Sequence, residues 1–161
     1  MYTENTRQDT IKKLFLILIL FVLIYFSTFK ELIQVWNSNE DYSHGFFILP
    51  ISLYLIWRKK GEILSQPSVP ARWGYVLMLL WAFTYTLGIV GHISTIANVS
   101  MILFAIGAVA VLINGRAARI ILFPAFFMIF MFPIPSEIYT RVTNPLMLIS
   151  TNISFHILSI L

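Results

Sequence analysis

The 161-residue chain contains no cysteine. Within these residues there can be no disulfide, no thiolate metal site and no cysteine nucleophile. Charge is also scarce. Charged residues make up 11% of the chain and hydrophobic residues 58%, against about 25% charged in a typical soluble domain. An ordinary soluble fold is therefore excluded. The three histidines, His44, His92 and His156, lie on separate segments without ligand spacing, so no metal site is expected. There is no phosphate-cradling glycine loop and no nucleophile elbow, and no cofactor is expected. No internal repeat or low-complexity segment is present. The net charge of +4 does not imply a nucleic-acid partner. The basic residues sit at the ends of apolar runs, where membrane anchors sit, and no basic surface interleaved with aromatics accompanies them.

What the chain does have is long apolar runs. The pattern predicts an all-α polytopic membrane bundle of about six transmembrane helices, forming a single transmembrane domain over 1–161. The expected spans are 14–29, 44–57, 73–90, 95–114, 120–132 and 138–161. The first run is not a signal peptide, because Ile24-Tyr25-Phe26-Ser27-Thr28-Phe29 is too bulky for a cleavage site. Orientation follows from the cations. Arg7, Lys12, Lys13, Arg58, Lys59, Lys60, Arg72, Arg116 and Arg119 fall on one side of this topology, and only Lys30 and Arg141 on the other. Positive residues stay inside, so the N-terminus is expected in the cytoplasm. The last span stops in apolar sequence without a basic anchor, and the chain is expected to be the N-terminal part of a longer protein. The bilayer itself is the first partner.

The most informative stretch is Asp41-Tyr42-Ser43-His44-Gly45. The apolar run that follows, 46–57, is twelve residues, about 18 Å of helix at 1.5 Å per residue. A bilayer core is about 30 Å thick. The helix must draw on its polar start to span, which places Ser43 and His44 at or below the outer interface. Polar groups at that depth are functional candidates. Asp41 or Ser43 is expected to cap this helix. The plainer reading is a capped helix start whose histidine bonds to loop backbone.

A second feature is the polar stripe of the last span. At 100° per residue, Arg141, Asn152, His156 and Ser159 fall within about 60° of one another. Such a stripe is expected to face the bundle interior or a water-filled cavity, either gluing helices together or lining a groove for a ligand. Arg141 lies near the outer end, at a depth close to that of His44, where it suits carboxylate or oxyanion binding. Pro133 and Pro135 are expected to stiffen an outer turn that holds Glu137 and Arg141. The candidate outer-face substrate cavity therefore comprises Tyr42, Ser43, His44, Gly45, Arg141 and Asn152. No catalytic residue is assigned. His92, in a tight outer turn, is expected to have no chemical role.

Two strings carry a family resemblance. The first is Tyr42-Ser43-His44-Gly45-Phe46-Phe47-Ile48-Leu49-Pro50-Ile51-Ser52-Leu53-Tyr54-Leu55-Ile56-Trp57-Arg58-Lys59-Lys60. The second is Phe123-Pro124-Ala125-Phe126-Phe127-Met128-Ile129-Phe130-Met131-Phe132-Pro133-Ile134-Pro135, followed by Thr143-Asn144-Pro145-Leu146. Together they closely resemble the N-terminal two-thirds of exosortases, membrane enzymes related to archaeosortases. The resemblance implies a cysteine-type endopeptidase or transpeptidase of the bacterial inner membrane. Its substrates would be exported proteins with a C-terminal sorting tail of the PEP-CTERM type: a short motif, one membrane helix and a basic cluster. It also implies a link to exopolysaccharide and biofilm production. The family's cysteine, with its arginine and histidine partners, has no counterpart in these residues. Arg141 and His156 do not match those motifs. The fragment by itself is therefore expected to be inactive. A non-enzymatic scaffold for envelope polysaccharide machinery is the alternative, and a small transporter a more distant one, since no inverted repeat is present.

Overall fold

A computed structural model describes residues 2–66, 69–133 and 136–158, with backbone alone for residues 2–7 and 136–138. In a bilayer, backbone N–H and C=O groups find no water and must bond within the chain, which makes the helix the default for apolar runs. The described residues follow this rule. In chain order they form α1 (Tyr2–Ile24), α2 (Phe26–Ser38), a 3-10 turn (Glu40–Tyr42), α3 (Gly45–Arg58), α4 (Lys60–Leu64), α5 (Arg72–Val90), α6 (Ser94–Leu112), α7 (Gly115–Ile120), α8 (Leu122–Phe127), a second 3-10 turn (Met128–Met131) and α9 (Ser136–Leu158). Among the described residues, extended pairing is limited to one bridge between Val69 and Asn114.

The helix α6 is the centre. Its Ala97, Met101, Phe104, Ala108 and Ala110 are buried, and α1, α2, α5, α7 and α8 all pack against it. Small residues allow this, since association in lipid relies on close packing rather than on a hydrophobic drive. The α5–α6 hairpin is the most extensive contact. A Cβ at Gly88 would lie 2.8 Å from the Ala97 Cα. At the other end of the hairpin the Ala71 N–H donates to the Ala110 carbonyl at 3.0 Å. The turn between these helices closes by two bonds, Ile93 N–H to Gly88 carbonyl at 2.9 Å and His92 N–H to Ile89 carbonyl at 3.3 Å. This is the Schellman pattern. It puts His92 in the left-handed region at φ 52°, so His92 serves the turn through its backbone.

Two helices, α5 and α6, are long and apolar enough to cross a membrane, and α1 with α2 supplies a third if the bent pair counts as one span. The remaining expected spans take other forms. The helix α3 has 14 residues, about 21 Å. The run over 120–132 is interrupted, because Pro124 has no N–H for the Ile120 carbonyl, and α7 gives way to α8 at Ile121. It ends at Phe132, whose extended backbone (φ −85°, ψ 135°) is what the following Pro133 imposes. The expected turn at 115–119 is instead helical, with Asn114 Oδ1 accepting from the Ala117 N–H at 2.7 Å. The helix α9 has 23 residues but is too polar to qualify.

The first run was expected as one span over 14–29. It bends by 66° between Ile24 and Phe26, with neither proline nor glycine at the bend. The Tyr25 side chain is fully buried there. Ser100 gives its single hydroxyl proton to the Ala97 carbonyl at 2.6 Å, so Tyr25 donates to Ser100 Oγ at 2.6 Å. The Trp81 indole N–H in turn donates to Tyr25 Oη at 2.8 Å. Tyr85 donates to the Ile24 carbonyl at the break, 3.1 Å away. A broken helix in lipid is tolerable when side chains satisfy the freed groups in this way.

Removing the centre of this relay tests it. Tyr25→Phe is expected to lower stability by about 1 kcal/mol, the scale of one or two interhelical hydrogen bonds in a membrane, read as an earlier unfolding midpoint in mixed micelles. Thr84→Val is expected to leave the midpoint unchanged, because the Thr84 hydroxyl bonds only to carbonyls of its own helix, Leu80 at 2.8 Å and Trp81 at 3.0 Å.

Candidate functional site

Tyr42, Ser43, His44 and Gly45 come together at one end of the bundle, where α2, α3 and the 3-10 turn after α8 meet. The buried face of α2 is Thr28, Leu32 and Trp36, spaced four apart as one stripe of a helix. Trp36 brings that stripe to the site. Its indole N–H donates to the Met131 carbonyl at 3.0 Å, and its ring meets Phe46 edge-on at 5.2 Å. Gly45 lies directly beneath the indole, and a Cβ there would overlap the ring. The glycine is required by close approach.

His44 makes the second connection. Its Nε2 lies 2.9 Å from the Phe130 carbonyl. A carbonyl only accepts, so Nε2 carries a proton and donates. The last carbonyls of a helix have no intrahelical donor, and the two exposed by the stop at Pro133 are met by Trp36 and His44. With Nε2 committed to the carbonyl, Nδ1 is not used by the fold, and the side chain is exposed.

The expected capping by Asp41 or Ser43 does not occur. Asn39 Oδ1 accepts from the Asp41 N–H at 3.0 Å, and Ser43 Oγ donates back to the Glu40 carbonyl at 2.8 Å. The chain enters α3 through helical backbone at Ser43 and His44. The first N–H groups of α3 therefore find carbonyls in the preceding turn, Phe46 to Ser43 at 3.2 Å and Phe47 to His44 at 3.0 Å. A side-chain cap has nothing left to do. Tyr42 is half-buried and packs against the core.

Arg141 and Asn152 lie on α9 and are exposed. Among the described residues neither makes a hydrogen bond or ion pair, and α9 packs little against the other helices. The described part of α9 is exposed on almost every face, so the stripe of Arg141, Asn152 and His156 is not brought against His44 or another helix. Ser159, Pro135 and the Glu137 side chain fall outside the described residues. Among the described residues no three His, Asp or Glu side chains gather as a metal site would require. Trp36 and the Phe130 and Met131 carbonyls are the parts that sequence reasoning missed. The stripe of Thr28, Leu32 and Trp36, spaced four apart, is the signal that could have found the first.

The long apolar helices define a helical membrane protein. The comparisons narrow this. The family model described as transmembrane exosortase matches residues 36–161, and the chain belongs to that family. The matched region begins at Trp36 and holds both halves of the site, while Tyr25 lies outside it. No curated protein and no solved structure matches the chain.

The His44 contact predicts a graded response. His44→Gln keeps an amide donor for the Phe130 carbonyl and is expected to stay close to wild-type stability. His44→Ala leaves that carbonyl unmet and is expected to cost about 1 kcal/mol. Chemical unfolding in detergent distinguishes the two.

Proposed function

We propose that this chain is the membrane part of an exosortase-type endopeptidase or transpeptidase. It would act on exported proteins whose C-terminal tail carries a membrane helix and a basic cluster, at the outer face of a bacterial inner membrane, in connection with exopolysaccharide production. Membership of the transmembrane exosortase family over residues 36–161 carries this reading. The site supports it. Tyr42, Ser43, His44 and Gly45 form a rim held by Trp36 and His44 against the end of the broken helix, and His44 has a ring nitrogen free to accept a proton. Arg141 and Asn152 would join this cavity from α9 in the working enzyme.

The chemistry is an acyl-enzyme route: a thiolate attacks the scissile carbonyl of the tail, the peptide C–N bond breaks and the downstream segment leaves as an amine after taking up a proton, and water or an acceptor amine then attacks the thioester and restores the thiol. With no cysteine in the chain, the thiolate must come from outside these residues. The same absence is the one observation that favours a non-enzymatic scaffold. The two readings separate in a cell. Residues 1–161 co-expressed with a tagged sorting tail are expected to give no cleavage. The corresponding cysteine-bearing enzyme is expected to cleave the tail, and His44→Ala in it to process the tail more slowly at unchanged protein level. Cleavage by residues 1–161 alone would exclude a cysteine mechanism. Processing unaffected by His44→Ala would return the histidine to a structural role.

The proposed topology has six crossings with the N-terminus inside. It counts the bent α1–α2 pair, α3, α5, α6, the interrupted α7–α8 run and α9. The site end would then be outside, and Arg116 inside. A chain without cysteine suits accessibility labelling. In intact cells a membrane-impermeant maleimide is expected to label Asp41→Cys and not Arg116→Cys, with the pattern reversed in inside-out vesicles.

A further inference from the structure

The opposite end of the bundle carries Arg58, Lys59, Arg116 and Arg119, none of them used by the site above. Arg119 stands at the meeting point of three concavities. One, of about 670 Å³, is lined by Arg58, Lys59, Glu62 and Phe123 beside Arg119. A second, of about 350 Å³, includes Gln66, Asn114 and Arg116. The third, of about 410 Å³, runs between α5, α6 and α8, with Leu77, Ile102, Ile106, Leu122 and Phe126 among its walls, and Arg119 is its one charged residue. Arg119, an exposed residue, therefore borders both an apolar trough and two clefts of mixed lining. Glu62 is the acidic group in this neighbourhood, and it is paired with Lys59 at 3.3 Å. Among the described residues Arg119 has no carboxylate partner.

Size decides what the trough can hold. A helix about 10 Å across has a cross-section of roughly 80 Å², so the trough has room for roughly 5 Å of one, about a single turn. That is a small part of a membrane helix of about 20 residues, so a slim hydrocarbon chain is the better-matched occupant. Arginine adds the chemistry of the border, because its planar fork matches phosphate oxygens in a bidentate pair. Basic pockets between membrane helices are suited to anionic lipid headgroups.

We propose that Arg119 and the trough form a site for one anionic membrane phospholipid. Its phosphate lies on Arg119, with Arg58 and Arg116 close by, and one acyl chain runs along Leu77, Ile102, Ile106 and Phe126. The inference does not depend on the peptidase reading. It would hold equally for a scaffold.

The test is lipid retention by the full chain, purified in nanodiscs that mix phosphatidylglycerol and phosphatidylcholine and then read by native mass spectrometry. Wild type is expected to retain a phosphatidylglycerol adduct in preference to phosphatidylcholine. Arg119→Ala is expected to lower that adduct about fivefold, the worth of one cation beside an anionic headgroup. Lys12→Ala, on the exposed N-terminal part of α1, should leave it unchanged. Leu103→Trp narrows the trough from a partly exposed position and is expected to displace long-chain phosphatidylglycerol while sparing a short-chain analogue. Circular dichroism keeps a misfolded variant from counting as a result, and Arg119→Lys, which retains charge, should recover part of the adduct. Equal loss with Lys12→Ala would mean a diffuse field and overturn the site. So would retention of both lipids without preference, or indifference of the long chain to Leu103→Trp.

Discussion

Every break in these helices has to be closed from elsewhere in the protein, because the bilayer offers no hydrogen bonds to a freed backbone group. The chain has breaks at Tyr25, at Ile121 and before Pro133. At Tyr25 the loose Ile24 carbonyl is met by Tyr85. Before Pro133 the loose Phe130 and Met131 carbonyls are met by His44 and Trp36. The side chains that answer come from helices distant in sequence. The breaks at Tyr25 and before Pro133 therefore become points where the bundle is fastened together.

This gives the polar residues of the interior a common logic. Trp81, Tyr25 and Ser100 form a directed relay that ends on the Ala97 carbonyl, and it locks the bend of the first run onto the central hairpin. Trp36 and His44 do the same at one end of the molecule. There the arrangement leaves a surplus, since the imidazole has a second nitrogen that the fold does not consume. The opposite end is built on different terms. Its arginines lie on the surface, and Arg119 borders an apolar trough as well as two more polar clefts. Membership of the transmembrane exosortase family covers both ends.

Much of this was legible in the residues. The helices α5 and α6 follow from unbroken apolar runs with polar turns at either end, and their observed limits (Arg72–Val90 and Ser94–Leu112) lie within two residues of the expected spans. The interruptions at Pro124 and Pro133 follow from proline's missing N–H and its effect on the residue before it. The Tyr42-Ser43-His44-Gly45 string announced itself by polarity at the start of a helix too short to span. The bend at Tyr25 did not, because tyrosine in an apolar run carries no local signal for a break. Its cause lies in Ser100 and Trp81, 75 and 56 residues away. Nor could the exposure of α9 be read from its stripe, since periodicity defines which residues share a face and not what packs against it.

The sequence by itself determined the class: a helical membrane protein, 161 residues that hold no cysteine, and a polar string of a recognisable family. These follow from composition, run length and motif, which are local properties. Only the tertiary structure decided what His44 does. Its partner is a backbone carbonyl 86 residues away, a group every residue possesses. What selects Phe130 is the place where a proline stops one helix beside the start of another, and that juxtaposition exists only once the helices have packed.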